Sequence, residues 1–116
     1  MVERGDVVLV AMEYTDTAGT SMIKRRPAVV VSADDDHRAR DEVLALPIIS
    51  TRQSAYWCIP VKKDSEDGKS GGLRLNPYID CSVIAAIPKD MLVATIGTFS
   101  EPLMLQVAER LRGRWT

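Results

Sequence analysis

Histidine, cysteine and excess charge are all scarce in this sequence, and each scarcity removes a class of function. A single histidine, His37, stands among 116 residues, so a zinc site or a His-based catalytic triad would lack partners. The cysteines Cys58 and Cys81 are too few for a disulfide framework and show no metal-ligand spacing. Both sit in apolar alternating stretches, where a buried free thiol is the expected state. The starting point is therefore chemistry without metal or cofactor, or no chemistry. Lys and Arg (15) nearly balance Asp and Glu (16), for a net charge of -1. That balance excludes a histone-like or ribosomal basic coat, though not a local basic patch. No apolar run approaches the roughly 20 residues that a membrane-spanning helix needs. The opening Met1-Val2-Glu3-Arg4-Gly5-Asp6 does not read as a signal peptide, because charge and glycine sit where its apolar region would begin. A cytoplasmic protein without membrane association is the expectation.

What is present suits one folded unit. Hydrophobic residues make up 46% and charged residues 27%, and the length fits a single domain over residues 1–116. Asp6 to Met12 is an apolar, β-rich stretch that reads as a buried strand. Thr15 to Ser21 is polar and small, the composition of an exposed loop. Ile23-Lys24-Arg25-Arg26-Pro27 leads into a second strand, Ala28 to Ser32. Proline has no backbone N–H and holds the preceding residue extended, which places Pro27 at the start of that strand and Arg26 at its mouth. Ala33 to Asp41 reads as a charged loop with room for one helical turn. Within it His37 sits beside Asp34-Asp35-Asp36, the setting of a solvated loop histidine.

Glu42 to Ile49 follows as a third strand, with Ser50 to Ser54 as its polar mouth. Ala55 to Val61 is a fourth strand, on which Tyr56 and Trp57 would face opposite sides. Lys62 to Gly72 reads as a flexible charged loop, Tyr78 to Ile87 as one long strand, and Leu92 to Ile96 as a short one. Ser100-Glu101-Pro102 is a helix start, with Ser as N-cap and Pro where its missing N–H does no harm. Met104, Val107, Ala108, Leu111 and Trp115 then line one apolar face. The expected architecture is mainly β: a small, strongly curved sheet or barrel closed by a C-terminal helix.

In this order, Arg4-Gly5-Asp6-Val7-Val8-Leu9-Val10 and Lys24-Arg25-Arg26-Pro27-Ala28-Val29-Val30-Val31-Ser32 resemble the opening of the PemK/MazF-like toxins. Gly72-Leu73-Arg74 and Ile96-Gly97-Thr98-Phe99-Ser100 extend the resemblance over nearly the whole chain. These toxins are the endoribonuclease halves of type II toxin–antitoxin pairs. The resemblance implies an SH3-like small β-barrel of the CcdB/PemK kind, a homodimer, a cognate antitoxin as partner, and metal-independent cleavage of single-stranded RNA. In that reaction the RNA 2′-OH attacks its own phosphate, leaving a 2′,3′-cyclic phosphate and a free 5′-OH.

Arg26 matches the family's catalytic arginine, and a guanidinium offers a planar fork of donors to phosphate oxygens. The family's catalytic threonine follows the third strand, and Pro47-Ile48-Ile49-Ser50-Thr51 places Ile49 at that position. Isoleucine neither donates nor accepts a proton. Either Ser50 or Thr51 supplies the hydroxyl, or the chain is a dimeric binding module that has lost cleavage. Thr51 would share the face of Ile49 if the strand continued, whereas Ser50 would face the other way. The family's Glu-Gln before the Arg-Pro pair is Ser21-Met22 here, and further positions read Pro77, Asp80 and Ser82. Lys24, Arg25, Arg52, Gln53 and Arg74 are the candidate RNA contacts. A barrel toxin acting on gyrase shares the fold, but the Arg-Pro pair gives it no support.

Overall fold

The computed structural model describes residues 2–32, 40–50, 56–73 and 75–115, with backbone only at 114 and 115. Its framework is a hairpin of two long strands, β1 (Asp6–Thr15) and β2 (Ser21–Val30), paired antiparallel from Val7↔Val29 to Thr15↔Ser21. Both strands run well beyond their apolar halves. The tip is held by Asp16, whose Oδ1 accepts from the backbone N–H groups of Ala18 (2.9 Å) and Thr20 (2.8 Å). Gly19 completes the reversal at φ 83°, a left-handed conformation that favours glycine.

The expected second strand therefore starts earlier than the sequence suggests, and Pro27 lies inside β2 rather than at its start. The reason lies in the neighbour on the far side. Strand β3 (Glu42–Ile49) pairs with β2 only at Ala28↔Pro47, Val29↔Leu46 and Val30↔Ala45. At Pro27 the β3 side of β2 has no strand partner, although β1 is still joined there to the last strand of the sheet through Leu9↔Ala94, so a missing N–H on that open side breaks no ladder.

The other edge of β3 carries two short strands. β5 (Tyr78–Asp80) pairs with Ile48 and Ile49, and β6 (Ala85–Pro88) pairs with Glu42 to Ala45. The single long strand expected over 78–87 is thus broken at Cys81–Ile84. The break is made by Asp80, buried at 5% exposure, whose carboxylate accepts from the N–H (2.9 Å) and hydroxyl (2.5 Å) of Ser82. Strand β4 (Cys58–Pro60) pairs with β5 and is shorter than the expected 55–61. Strand β7 (Leu92–Thr98) follows a 3₁₀ turn over Lys89–Met91 and pairs with the free edge of β1. The order is β4-β5-β3-β2-β1-β7, with β6 beside β3, and the curved sheet forms the small barrel expected.

Alternation along the strands divides the buried residues between two faces. Val7, Val29, Leu46, Ile59 and Ile79 point towards helix α2 (Glu101–Trp115) and pack with its Leu103, Met104 and Val107. Val8, Val10, Ala28, Val30, Val43, Ala45 and Ile87 form a second cluster. Each fully buried branched side chain contributes about 1.5–3 kcal/mol. Helix α2 begins where the capping residues place it: the Ser100 hydroxyl accepts from the Leu103 N–H (3.4 Å). Met104 and Val107 are buried and Leu111 partly so; the side chain of Trp115 lies outside the described residues.

The segment 62–72 departs most from expectation. It holds a short helix, α1 (Glu66–Ser70), capped by Ser65, whose hydroxyl accepts from the Gly68 N–H at 3.0 Å. The Asp67 carboxylate then receives both the N–H (2.6 Å) and the hydroxyl (2.9 Å) of Ser100, tying α1 to the start of α2. The glycines here serve close approach. A Cβ on Gly68 would lie 2.1 Å from the Lys62 carbonyl oxygen, and one on Gly97 would lie 2.2 Å from that of Ser70.

Candidate functional site

The register of the β1–β2 hairpin decides which side chains share a face. Val10↔Arg26 and Met12↔Lys24 point one way, whereas Ala11↔Arg25 points the other. Arg26 and Lys24 are therefore neighbours on one surface, and Arg25 is not among them. Arg26 is exposed and sits just past the end of the β2–β3 ladder, where that edge of β2 is left open.

A cavity of about 530 Å³ opens at this point. Met12, Arg26 and Pro27 form one wall, the end of β3 (Pro47, Ile48, Ile49) with Ser50 forms the next, and Leu73, Leu75 and Pro77 close the far side. β3 ends at Ile49 and Ser50 is a bend. The bend brings Ser50 to the same cavity as Arg26. Beside it, an apolar groove of about 370 Å³ shares Met12, Arg26, Pro27 and Pro47 and continues over Val10, Ala28, Ala45, Val83, Met91 and the β6 strand. Met12 and Leu75 were not singled out from the sequence, whereas Leu73 and Pro77 stand at positions of the family resemblance without having been assigned to the site. The signal for Met12 is its alternation with Val10; Leu75 reaches the site through long-range packing.

Among the candidates named from sequence, Arg26 and Ser50 meet at the cavity, Lys24 lies on the adjoining surface, and Arg25 lies on the reverse face. Thr51, Arg52, Gln53, Arg74 and His37 lie outside the described residues. Tyr56 and Trp57 do not face opposite sides. They occupy a turn rather than a strand, and their rings meet edge to face at 4.5 Å. Arg110 of α2 donates to the Tyr56 carbonyl oxygen and places its guanidinium 5.3 Å from the Tyr56 ring centre.

Both cysteines are buried and unpaired. Burial pushes the Cys81 thiol up to about 11, with Asp80 and Cys58 adding to the shift and Arg110 opposing it. At neutral pH this thiol is protonated and a poor nucleophile, which fits a packing role. Among the described residues no group of three His, Cys, Asp or Glu side chains could hold a metal ion, and no helix is long and apolar enough to cross a membrane.

The same architecture recurs in solved structures. An endoribonuclease in complex with its cognate antitoxin, from a mycobacterial species, superposes with a TM-score of 0.74 at 19% identity, over 98% of this chain and 94% of its own. The Mycobacterium tuberculosis toxin MazF-mt6 gives 0.72 at 17% identity over 95% of both chains. A MazE–MazF structure from Deinococcus radiodurans gives 0.72 at 15% identity, over 97% of this chain and 94% of that one. At such identities the likeness establishes the fold. No curated protein sequence matches the chain. The family model for the PemK-like, MazF-like toxins of type II toxin–antitoxin systems matches residues 3–113, and on that match this chain, with its Arg-Pro pair at the mouth of a small β-barrel, belongs to that family.

Proposed function

We propose that this toxin is a metal-independent, sequence-specific endoribonuclease that cuts single-stranded RNA at the Arg26 cavity. The observation that carries the reading is the meeting of Arg26 and Ser50 at one open cavity, with Arg26 held in line by Pro27. In the reaction the O2′–P bond forms, the P–O5′ bond breaks, and a proton leaves the 2′-OH while another reaches the departing 5′-oxygen. Arg26 fits the negative charge that builds on the phosphorane oxygens, because its donors can address two of them together. The Ser50 hydroxyl, on the wall of the same cavity, would serve as donor and acceptor beside that charge, with Thr51 as the alternative source. Lys24 extends the positive surface along the strand, and Arg52, Gln53 and Arg74 complete the proposed RNA contacts; Arg25, on the reverse face, drops out of the set. A cognate antitoxin would restrain the toxin by covering this groove, and a homodimer is the proposed assembly.

Ile49 favours a second reading, in which the chain binds RNA or antitoxin without cutting. It lines the cavity at the family's threonine position and presents only hydrocarbon there. Incubating the purified protein with mixed-sequence single-stranded RNA in EDTA separates the two. Discrete cuts ending in cyclic phosphate, abolished by Arg26→Ala, establish the nuclease. Binding without cuts establishes the inactive module.

A further inference from the structure

Beyond the cavity and Lys24, the hairpin surface carries two side chains, Tyr14 and Met22, that the site just described does not use. Along one face of the β1–β2 ribbon, past Arg26, the register places Lys24 beside Met12 and then Tyr14 beside Met22. The Lys24 ammonium lies 4.5 Å from the centre of the Tyr14 ring, and the Tyr14 hydroxyl donates to the Met22 Sδ at 3.3 Å. No acid belongs to these pairs: Glu13 points from the opposite face and accepts from the Ser21 hydroxyl, and the Asp16 carboxylate at the tip is taken up by the turn N–H groups.

We infer that Tyr14 and Lys24 form a nucleotide platform, on which a base flanking the cut stacks on the Tyr14 ring while Lys24 takes its phosphate. The inference rests on the proposed RNA-cleaving function. An exposed ammonium over a tyrosine ring is held weakly, and a phosphate offers it a charge-assisted bond instead. One nucleotide supplies both replacements: the base covers the ring as the ammonium moves to the phosphate. Lys24 and Arg26 stand two strand residues apart, about 6.8 Å along β2, a span that lets them address neighbouring phosphates of an extended strand. The occupant is a single strand, because only unstacked bases present a free face to a ring. The Asp16 turn fixes the hairpin that carries the platform, so the ring is in place before RNA arrives.

The test is fluorescence anisotropy with a mixed-sequence 2′-O-methyl 12-nucleotide RNA, which binds but cannot be cut. Tyr14→Ala should weaken binding about tenfold, within the range for stacking one base, and Tyr14→Phe should bind as the parent does. Lys24→Gln should weaken binding and flatten its salt dependence. Ile23→Ala, on the reverse face, should change nothing. Circular dichroism melts check that each variant is folded. On cleavable RNA, Tyr14→Ala should raise KM and leave kcat unchanged. Parent-like binding by Tyr14→Ala and Lys24→Gln overturns the platform, as does a parent protein that binds no RNA. Binding that depends on Tyr14 without any cleavage refutes the nuclease and leaves the platform standing.

Discussion

Replacing Asp67 with alanine tests whether the short helix α1 is structural scaffolding for the cavity. In the parent, one carboxylate receives two hydrogen bonds from Ser100, at 2.6 Å from its N–H and 2.9 Å from its hydroxyl. Bonds to a charged acceptor contribute about 1.5–3 kcal/mol each when shielded. Ser100 is exposed, however, and water can replace the lost partner. The expected loss for the pair is therefore about 1–2 kcal/mol, below the sum of two shielded bonds. In a domain of this size that lowers Tm by about 5–10 °C. The assay is thermal unfolding followed by circular dichroism, with Asp64→Ala as a nearby acid-to-alanine control. Asp67→Asn keeps one carbonyl acceptor and should recover about half of the loss. Leu73 and Leu75, just after α1, wall the cavity, so Asp67→Ala should also raise KM for RNA. A parent-like melting curve for Asp67→Ala would refute the view that this tie holds α1 in place.

Ile49→Thr restores a hydroxyl at the cavity wall and should raise cleavage about tenfold, a modest share of what a positioned proton-transfer group supplies; an unchanged rate in a multiple-turnover assay would show that position 49 does not face the reacting phosphate. Gly97→Ala sets a Cβ 2.2 Å from the Ser70 carbonyl oxygen and 2.5 Å from the Gly71 carbonyl carbon, backbone atoms that cannot rotate aside. It should cost about 3 kcal/mol in urea unfolding. The Cys81 thiol, raised from 9.0 to about 11, gives stability that is fully present below pH 9 and lost as pH rises through 11, since the unfolded chain ionises first. Between pH 8 and 11 the parent should lose on the order of 2 kcal/mol more than Cys81→Ala, read from urea midpoints.

The fold was legible where local chemistry and burial coincide. The capping sequence at Ser100 and the spacing of Met104, Val107 and Leu111 specify α2 and its inner face. The apolar halves of β1 and β2 were legible too, but their outer halves were not. From Glu13 to Ile23 the pairing rests on backbone bonds and the Asp16 turn, and those exposed side chains leave no hydrophobic period to read. The α1 segment was misread because glycine and charge signal flexibility. Gly68 instead admits the carbonyl of Lys62, and Gly97 of β7 admits the Ser70–Gly71 backbone, contacts that no local pattern reveals. At Asp80 a buried carboxylate bonded to Ser82 ended a strand that alternation alone would continue. Arg26 was legible through Pro27, whereas the far wall of the cavity comes from residues nearly fifty positions away and needed the sheet order. The opposite directions of Lys24 and Arg25 follow from register alone.

The near-zero net charge conceals a division that sets how RNA binding should respond to salt. Asp34 to Glu42 carries five acids against two bases, while Val43 to Pro77 carries five bases against three acids. On the hairpin face only Lys24 and Arg26 stand ready for phosphates. Two neutralised phosphates on a single strand give a slope of log K against log salt of about -1.4, so affinity falls about sevenfold between 50 and 200 mM. Participation by Arg52 and Arg74 would double the slope to about -2.8 and raise the loss to about fiftyfold. Titrating the uncleavable RNA at four salt concentrations measures which holds. A slope near -1.4 confines phosphate binding to the hairpin face; in that case Arg26→Ala should reduce it to about -0.7. A slope near zero would refute phosphate recognition at this face, whatever the cavity does to a bound strand.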